Sequence, residues 1–260
     1  MPDSYAVNLT CASKDCAREF EKKDLYVCDF CFAPLEVKYD YERIKRDLSI
    51  EKINSRGKNI WRYKELLPLD KAPTVGLNVG FTPLIKAKNL AKTLGVKELY
   101  IKNDGVCSPS LSFKDRVVAV ALSKAKELGY DIIGCASTGN LANSVSAQAA
   151  SAGLKSFIFI PSDLEESKII GTSIYGSNVI AVKGNYDEVN RLCTEILGYN
   201  KWGFVNINLR TYYSEGSKTV GYEIIEQLDW KAPKHIVVCM ASGSLLTKIY
   251  KSIKEFENLG

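Results

Sequence analysis

The chain has 260 residues, with 35 Lys and Arg against 30 Asp and Glu. The resulting charge of +5 is mildly basic and dispersed: it suits small anionic ligands and gives no basic stripe for nucleic acid. Hydrophobic residues make up 46% and charged residues 25%, the balance of a globular chain with a sizeable core, and a cytoplasmic protein is expected because neither an apolar membrane-length run nor a leader pattern occurs.

Residues 1–40 hold Cys11, Cys16, Cys28 and Cys31, spaced C-x4-C, eleven residues, C-x2-C, and ending in Leu35–Asp40. In a cytoplasmic protein this spacing points to metal rather than disulfides, and four thiolates can close a tetrahedral zinc site. The alternative is a ribbon held by packing alone. Ala17 and Phe32 follow the second cysteine of each pair, where tight knuckles favour glycine. Cys107, Cys135, Cys193 and Cys239 are scattered, three of them in or beside apolar segments, as small buried thiols are.

A polar stretch through Ser55–Lys58 leads to Trp61-Arg62-Tyr63 and Phe81-Thr82-Pro83-Leu84. From there strand and helix patterns alternate. Strands are predicted at 99–102, 131–135, 156–160, 178–182, 204–206 and 236–239, and helices at 114–128, 141–152, 163–175, 186–197, 215–228 and 245–257. This order implies an α/β fold with a doubly wound, mostly parallel sheet, whose ligands bind beyond the carboxyl ends of strands. His235, the single histidine, precedes the last predicted strand and reads as a strand-edge residue, which argues against histidine-dependent triads.

Three predicted loops fall at strand ends. Lys114 ends the run Ser110-Leu111-Ser112-Phe113-Lys114 where a helix begins; there the helix's positive end can lower an amine's pKa and make it a Schiff-base candidate. Ser137-Thr138-Gly139-Asn140 follows 23 residues later, with hydroxyls, an amide and free backbone N–H groups for an anion. Ala241-Ser242-Gly243-Ser244 is a small-residue turn that a phosphate can approach closely. Each has an ordinary reading, respectively a solvated lysine, an N-cap and a structural turn; together they suggest a site for pyridoxal phosphate and a carboxylate substrate.

These motifs in this order resemble fold-type II pyridoxal-phosphate (PLP) enzymes of the tryptophan synthase β family. Within that family the chain is most similar to threonine synthases, through the N-terminal ribbon and through Asn206–Arg210 followed by Glu215-Gly216-Ser217-Lys218-Thr219. The resemblance implies the following roles. Lys114 holds the cofactor as a Schiff base and then acts as base; Asn140 binds the cofactor's phenolate oxygen; Ala241, Ser242, Gly243 and Ser244 cradle its phosphate. Ser137 and Thr138 grip the substrate carboxylate, and Asn206, Arg210 and Lys218 are candidates for the phosphate of O-phospho-L-homoserine, which is converted to L-threonine. It also implies a PLP-enzyme fold beginning within 41–110, a smaller substrate-side domain at 111–175, part of a larger cofactor-binding domain at 176–260, and a homodimer. Leu111 stands where the family has glycine. The chain stops at Gly260, before the strands and the Ser or Thr at the pyridine nitrogen that the family carries, so a C-terminally truncated member is expected. The alternatives are another lyase of the same fold, such as a threonine or serine dehydratase, and an inactive scaffold.

Overall fold

The structure is a computed structural model and describes residues 4–163 and 166–260. The N-terminal ribbon is a three-stranded antiparallel sheet of β1 (Ala6–Cys11), β2 (Glu19–Phe20) and β3 (Leu35–Tyr39), in the order β2-β1-β3. Its alternating pattern puts Leu9, Cys11, Leu35, Val37 and Tyr39 on a buried face, and a register shift between Ala6 and Asn8 brings Ala6 to it as well. Two short helices follow, α1 (Tyr41–Asp47), capped by Asp40, and α2 (Ile50–Asn54), capped by Ser49; a 3₁₀ segment covers Ile60–Leu66. Next come β4 (Leu84–Lys86), α3 (Lys88–Leu94) and β5 (Tyr100–Lys102), with β4 and β5 paired antiparallel.

The segment that places the site is a parallel α/β unit. It runs α4 (Lys114–Glu127), β6 (Ile132–Ala136), α5 (Asn140–Ala152), β7 (Lys155–Pro161), α6 (Glu166–Ser173), β8 (Asn178–Val182), α7 (Tyr186–Tyr199) and β9 (Gly203–Phe204). The strands form one parallel sheet in the order β8-β7-β6-β9. Val117, Val118, Ala121 and Leu122 of α4 pack with Ala142, Val145 and Ala149 of α5 and with Ile133, Cys135, Ile158 and Ile160 of the sheet. The expected helix at 163–175 is α6, and residues 164–165 of it lie outside the described residues. The sheet also crosses the domain boundary expected at 175/176, since β8 pairs with β7 and β9 with β6.

The chain ends in α8 (Arg210–Glu215), α9 (Lys218–Gln227) and α10 (Ser244–Leu259). The helix predicted at 215–228 is α9, starting three residues later, and α8, joined to it through Gly216–Ser217, ends at Glu215, where the predicted range begins. A Cβ at Gly216 would stand 2.6 Å from Arg116 O and 2.7 Å from Val117 Cα, so glycine lets the α8–α9 junction press against α4.

One predicted strand does not form. Ile236–Cys239 is apolar enough to read as a buried strand, but no strand pairs with it among the described residues, and Val237, Cys239 and His235 are exposed. Apolar pattern alone does not make a strand; a ladder partner does. The 241–244 turn thus opens α10 without a strand before it.

Candidate active site

In the sheet, β7 and β8 extend to one side of β6 and β9 lies on the other. The connections reverse direction at β6/β9, and the carboxyl end of such a switch point is where open parallel sheets leave a crevice. Residues from both strands meet there. Ala136 N–H donates to Asn206 Oδ1 (3.3 Å), Asn206 Nδ2 donates to Ala136 O (3.4 Å), and Tyr186 Oη donates to Ala136 O (3.0 Å).

Ser137 continues the ladder, its N–H donating to Phe159 O at 3.3 Å, and its Oγ accepts from Gly139 N–H at 3.4 Å. Gly139 and Asn140 are exposed and start the 13-residue α5, which no side chain caps. A Cβ at Gly139 would meet nothing within 4 Å. The first-turn N–H groups and the helix dipole therefore face open space, the arrangement that holds an anion.

Lys114 is the first residue of α4 and partly buried, and its Nζ donates to Tyr213 Oη at 3.1 Å. Two rings flank the amine, Phe113 at 5.4 Å and Tyr213 at 5.8 Å between Nζ and ring centroid. Burial pushes its pKa below the ordinary lysine value, opposed in part by the Cys135 thiol at the end of β6. A partly desolvated amine at a helix N-terminus is the state a nucleophilic lysine needs.

The loop before Lys114 is locked from below. Asp115 is fully buried; it accepts from Ser110 N–H (2.9 Å), Ser110 Oγ (2.7 Å) and Ser144 Oγ of α5 (2.6 Å), while Gln148 Nε2 donates to Asp115 O (2.9 Å). Leu111 adopts φ 57°, the left-handed region that glycine favours, with its side chain out in solvent. Leucine thus holds here the conformation that glycine takes without strain. Phe81-Thr82-Pro83-Leu84 is positioned by another buried network. Arg116 Nη2 donates to Thr82 Oγ1 (2.9 Å), Asp104 Oδ1 (2.8 Å) and Glu223 Oε2 (2.8 Å), and Thr82 Oγ1 donates to Asp104 (2.6 Å).

The remaining expected residues divide. Arg210 is exposed at the start of α8, one turn before Tyr213, whose phenol feels its charge. Lys218 is not at the crevice. It is fully buried, paired with Glu215 (2.7 Å) and Glu255 (3.1 Å), and lies 4.1 Å from the centroid of Tyr39 in the ribbon. A lysine already neutralised by two carboxylates holds no ligand phosphate, which corrects the sequence reading of that residue. Ala241 and Ser242 are exposed, and Gly243 at φ 81° caps the 16-residue α10, which has no side-chain cap; a Cβ at Gly243 would meet nothing within 4 Å. Phe113, next to Lys114, packs against the same apolar cluster of Val220, Ile224 and Ile249 as Ile236, Val238 and Leu245, which flank this turn. Surface hollows of about 270 Å3 (at Lys86, Lys92 and Glu98) and about 370 Å3 (at Leu48, Trp230 and Phe256) lie elsewhere.

Tyr213, Tyr186 and Asp115 were not singled out from sequence. The i,i+3 spacing of Arg210 and Tyr213 on one helix face was the available signal for the first.

In the ribbon, the Sγ atoms of Cys11, Cys16, Cys28 and Cys31 all lie within 4.8 Å of one another, with Cys11–Cys31 at 3.4 Å and Cys16–Cys28 at 3.7 Å. Tetrahedral thiolates about 2.3 Å from a zinc ion stand about 3.8 Å apart. Ala17 (φ 45°) and Phe32 (φ 57°) take the left-handed conformation at the two knuckles without being glycine. Backbone N–H from Cys31 pulls the Cys28 thiol down to about 7, while burial pushes Cys11 up to about 12.

Residues 75–259 match the family described as "Pyridoxal-phosphate dependent enzyme". Threonine synthase from Methanocaldococcus jannaschii is 38% identical over 248 residues, covering 94% of this chain and 60% of that protein. The same enzyme from Methanosarcina acetivorans is 36% identical, covering 95% and 60%. The chain thus spans about 60% of the length of these relatives. Among solved structures, the apo form of Escherichia coli diaminopropionate ammonia lyase aligns with TM-score 0.62 at 19% identity, over 69% of this chain and 57% of that one. Serine racemase from maize aligns with TM-score 0.61 at 21% identity, over 70% and 54%. At such identities the likeness is one of fold, that of the fold-type II PLP enzymes. With a partly buried lysine at the first residue of α4 and a family match over most of its length, the chain belongs to the pyridoxal-phosphate dependent enzymes.

Proposed function

We propose that the chain acts as a PLP-dependent lyase of the threonine synthase kind, converting O-phospho-L-homoserine and water into L-threonine and phosphate. The observation that carries this reading is Lys114: a partly buried amine, bonded to Tyr213, beside the open N-terminus of α5 at the switch point. The 36–38% identity to two threonine synthases supports the substrate assignment.

The donor set fits the cofactor. Lys114 would hold it through Nζ, Asn140 would bond its phenolate oxygen, and the N–H groups of Ala241, Ser242, Gly243 and Ser244 would receive its phosphate. When bound, the cofactor supplies a protonated ring that withdraws electrons from the substrate's α carbon. The chain does the rest. Ser137, Thr138 and the first N–H groups of α5 bind and orient the substrate carboxylate. Lys114 Nζ would move protons at the α and β carbons. Exposed Arg210 would receive the substrate phosphate and steady it as it leaves, while Asn206, whose amide bonds Ala136 and Asn190, would brace the strand end beside it. Lys218 is not part of this set, being held by Glu215 and Glu255.

The four clustered thiols would hold one zinc ion as a structural staple. No helix among the described residues is long and apolar enough to cross a membrane; a cytoplasmic homodimer is the expected setting.

Borohydride reduction with added PLP, followed by peptide mass mapping, tests the reading. Adduct confined to Lys114 supports it; adduct scattered over surface lysines overturns it. A dehydratase needs no second anion site, so loss of phosphohomoserine turnover in Arg210→Gln would favour the synthase over that alternative, and unchanged turnover would remove Arg210 from the phosphate site.

A further inference from the structure

Tyr213 has no part in the roles above, yet it is the one hydrogen-bond partner of Lys114 Nζ among the described residues, at 3.1 Å. Its helix is held by contacts besides the bond to Lys114. Gly216 presses the α8–α9 junction on α4, Thr211 Oγ1 donates to Leu25 O (2.9 Å), and Tyr212 Oη donates to Lys23 O (2.7 Å). The phenol oxygen is thus set in place by the ribbon as well as by the body of α4, and not by its bond to Lys114 alone, as a group that orients another must be.

We propose that Tyr213 is a positioning residue for the Lys114 amine, its phenol oxygen fixing Nζ at the crevice and holding the amine's proton there. The inference rests on the reading of Lys114 as the cofactor lysine. The groups that face the amine are few. The Cys135 thiol on β6 acts on it and Tyr213 bonds it, while Arg210 of α8 and Tyr186 of α7 act on the phenol of Tyr213. Burial pushes the phenol of Tyr213 well up, with Cys135 adding to this and Arg210 opposing, so the hydroxyl stays neutral at working pH and can accept from an ammonium or donate to an amine. Lys114 therefore keeps one partner through both protonation states, and the proton need not be supplied by bulk water. The phenol ring also contributes to the flanking pair with Phe113, so Tyr213→Phe removes the oxygen and leaves the ring.

The test is the pH profile of Lys114 acetylation by acetic anhydride, followed by peptide mass mapping on the full chain without PLP. Removing an acceptor from a partly buried ammonium favours the neutral form. Tyr213→Phe is expected to lower the labelling midpoint by about one pH unit, which raises the reactive fraction below the midpoint up to about tenfold. An unchanged or raised midpoint in a variant with the native circular dichroism spectrum overturns the proposal, since a packing role alone would not move it. If Tyr213→Phe does not fold, Tyr213→Met, which lacks the oxygen and packs differently, is read in the same way. The borohydride experiment on the parent chain is separate: scattered PLP adduct there defeats the cofactor reading and leaves the midpoint result standing.

Discussion

Tyr212 on α8 donates its hydroxyl to the backbone carbonyl of Lys23 in the ribbon, at 2.7 Å. With the bond from Thr211 to Leu25 O one residue earlier, it ties the cysteine ribbon to the helix that bears Arg210 and Tyr213. The segment between Cys16 and Cys28 contains both carbonyls, so whatever fixes the thiols also fixes α8.

Metal removal is therefore expected to reach the crevice. If one zinc ion closes the four-thiolate site, a chelator will remove one equivalent by native mass spectrometry, and hydrogen exchange will speed up at β1–β3 and at α8 while α5 and β7 keep their protection. Unchanged exchange at α8 on metal loss would mean that packing alone holds the ribbon to it.

Arg210 and Lys218, equivalent by sequence as phosphate cations, are expected to separate. Lys218 is fully buried between two carboxylates, and removing one partner of a buried ion pair costs about 3–5 kcal/mol. Lys218→Met should lower the urea midpoint accordingly. Arg210 is exposed, so Arg210→Gln should change stability by no more than about 0.5 kcal/mol. It should instead raise the KM for the phosphorylated substrate tenfold or more, by the loss of roughly 1.5–3 kcal/mol of charged hydrogen bonding. Equal stability losses in the two variants would contradict this division.

The contrast between these two cations marks what sequence can carry. The βα unit was legible because its periodicity is local: α4, α5 and strands β6–β8 fall within a few residues of the runs that predict them, and Lys114 and Ser137 follow from where those runs end. Lys218 was misread because Glu255, one of its two partners, lies 37 residues away on α10. Ile236–Cys239 was misread because its apolar pattern says nothing about whether a neighbour supplies the ladder. Tyr213 was passed over because only the fold brings it 99 residues back to Lys114.

Acid should destabilise the chain through its buried carboxylates. Burial pushes Glu223, Glu215 and Asp104 up, but the cations beside them outweigh it and hold all three below the ordinary range: Arg116 and Lys102 at Glu223, Lys218, Lys248 and Lys251 at Glu215, Arg116 at Asp104. Asp70, held by Lys124 and Lys22 against the same burial, falls to about 2. A depressed folded-state pKa gives stability that is present above the unfolded value, near 4, and lost as pH falls through the folded value. Urea midpoints should hold from pH 7 to about 5 and decline steeply below 4. Glu223→Gln should start lower at pH 7, by about 3–5 kcal/mol, and lose less between pH 7 and 3, because one of the titrating carboxylates is gone. A parallel decline in both proteins would remove Glu223 from the account.

Leu111 offers a test in the opposite direction. It holds φ 57° with 67% of its side chain exposed, in a loop whose other end is pinned by Asp115. The left-handed conformation costs a residue with a Cβ roughly 1–2 kcal/mol, while glycine adds about 0.5–1 kcal/mol of unfolded-state entropy. The exposed side chain contributes little packing to set against this. Leu111→Gly should thus stabilise the protein by about 0.5–1 kcal/mol, raising Tm by roughly 1–4 °C. Because Asp115, not residue 111, fixes the loop to α5, the acetylation midpoint of Lys114 should be the same in this variant as in the parent. A lowered Tm would show that Leu111 makes a contact worth more than its strain, and a shifted midpoint would show that the loop, and not only Tyr213, sets the state of the amine.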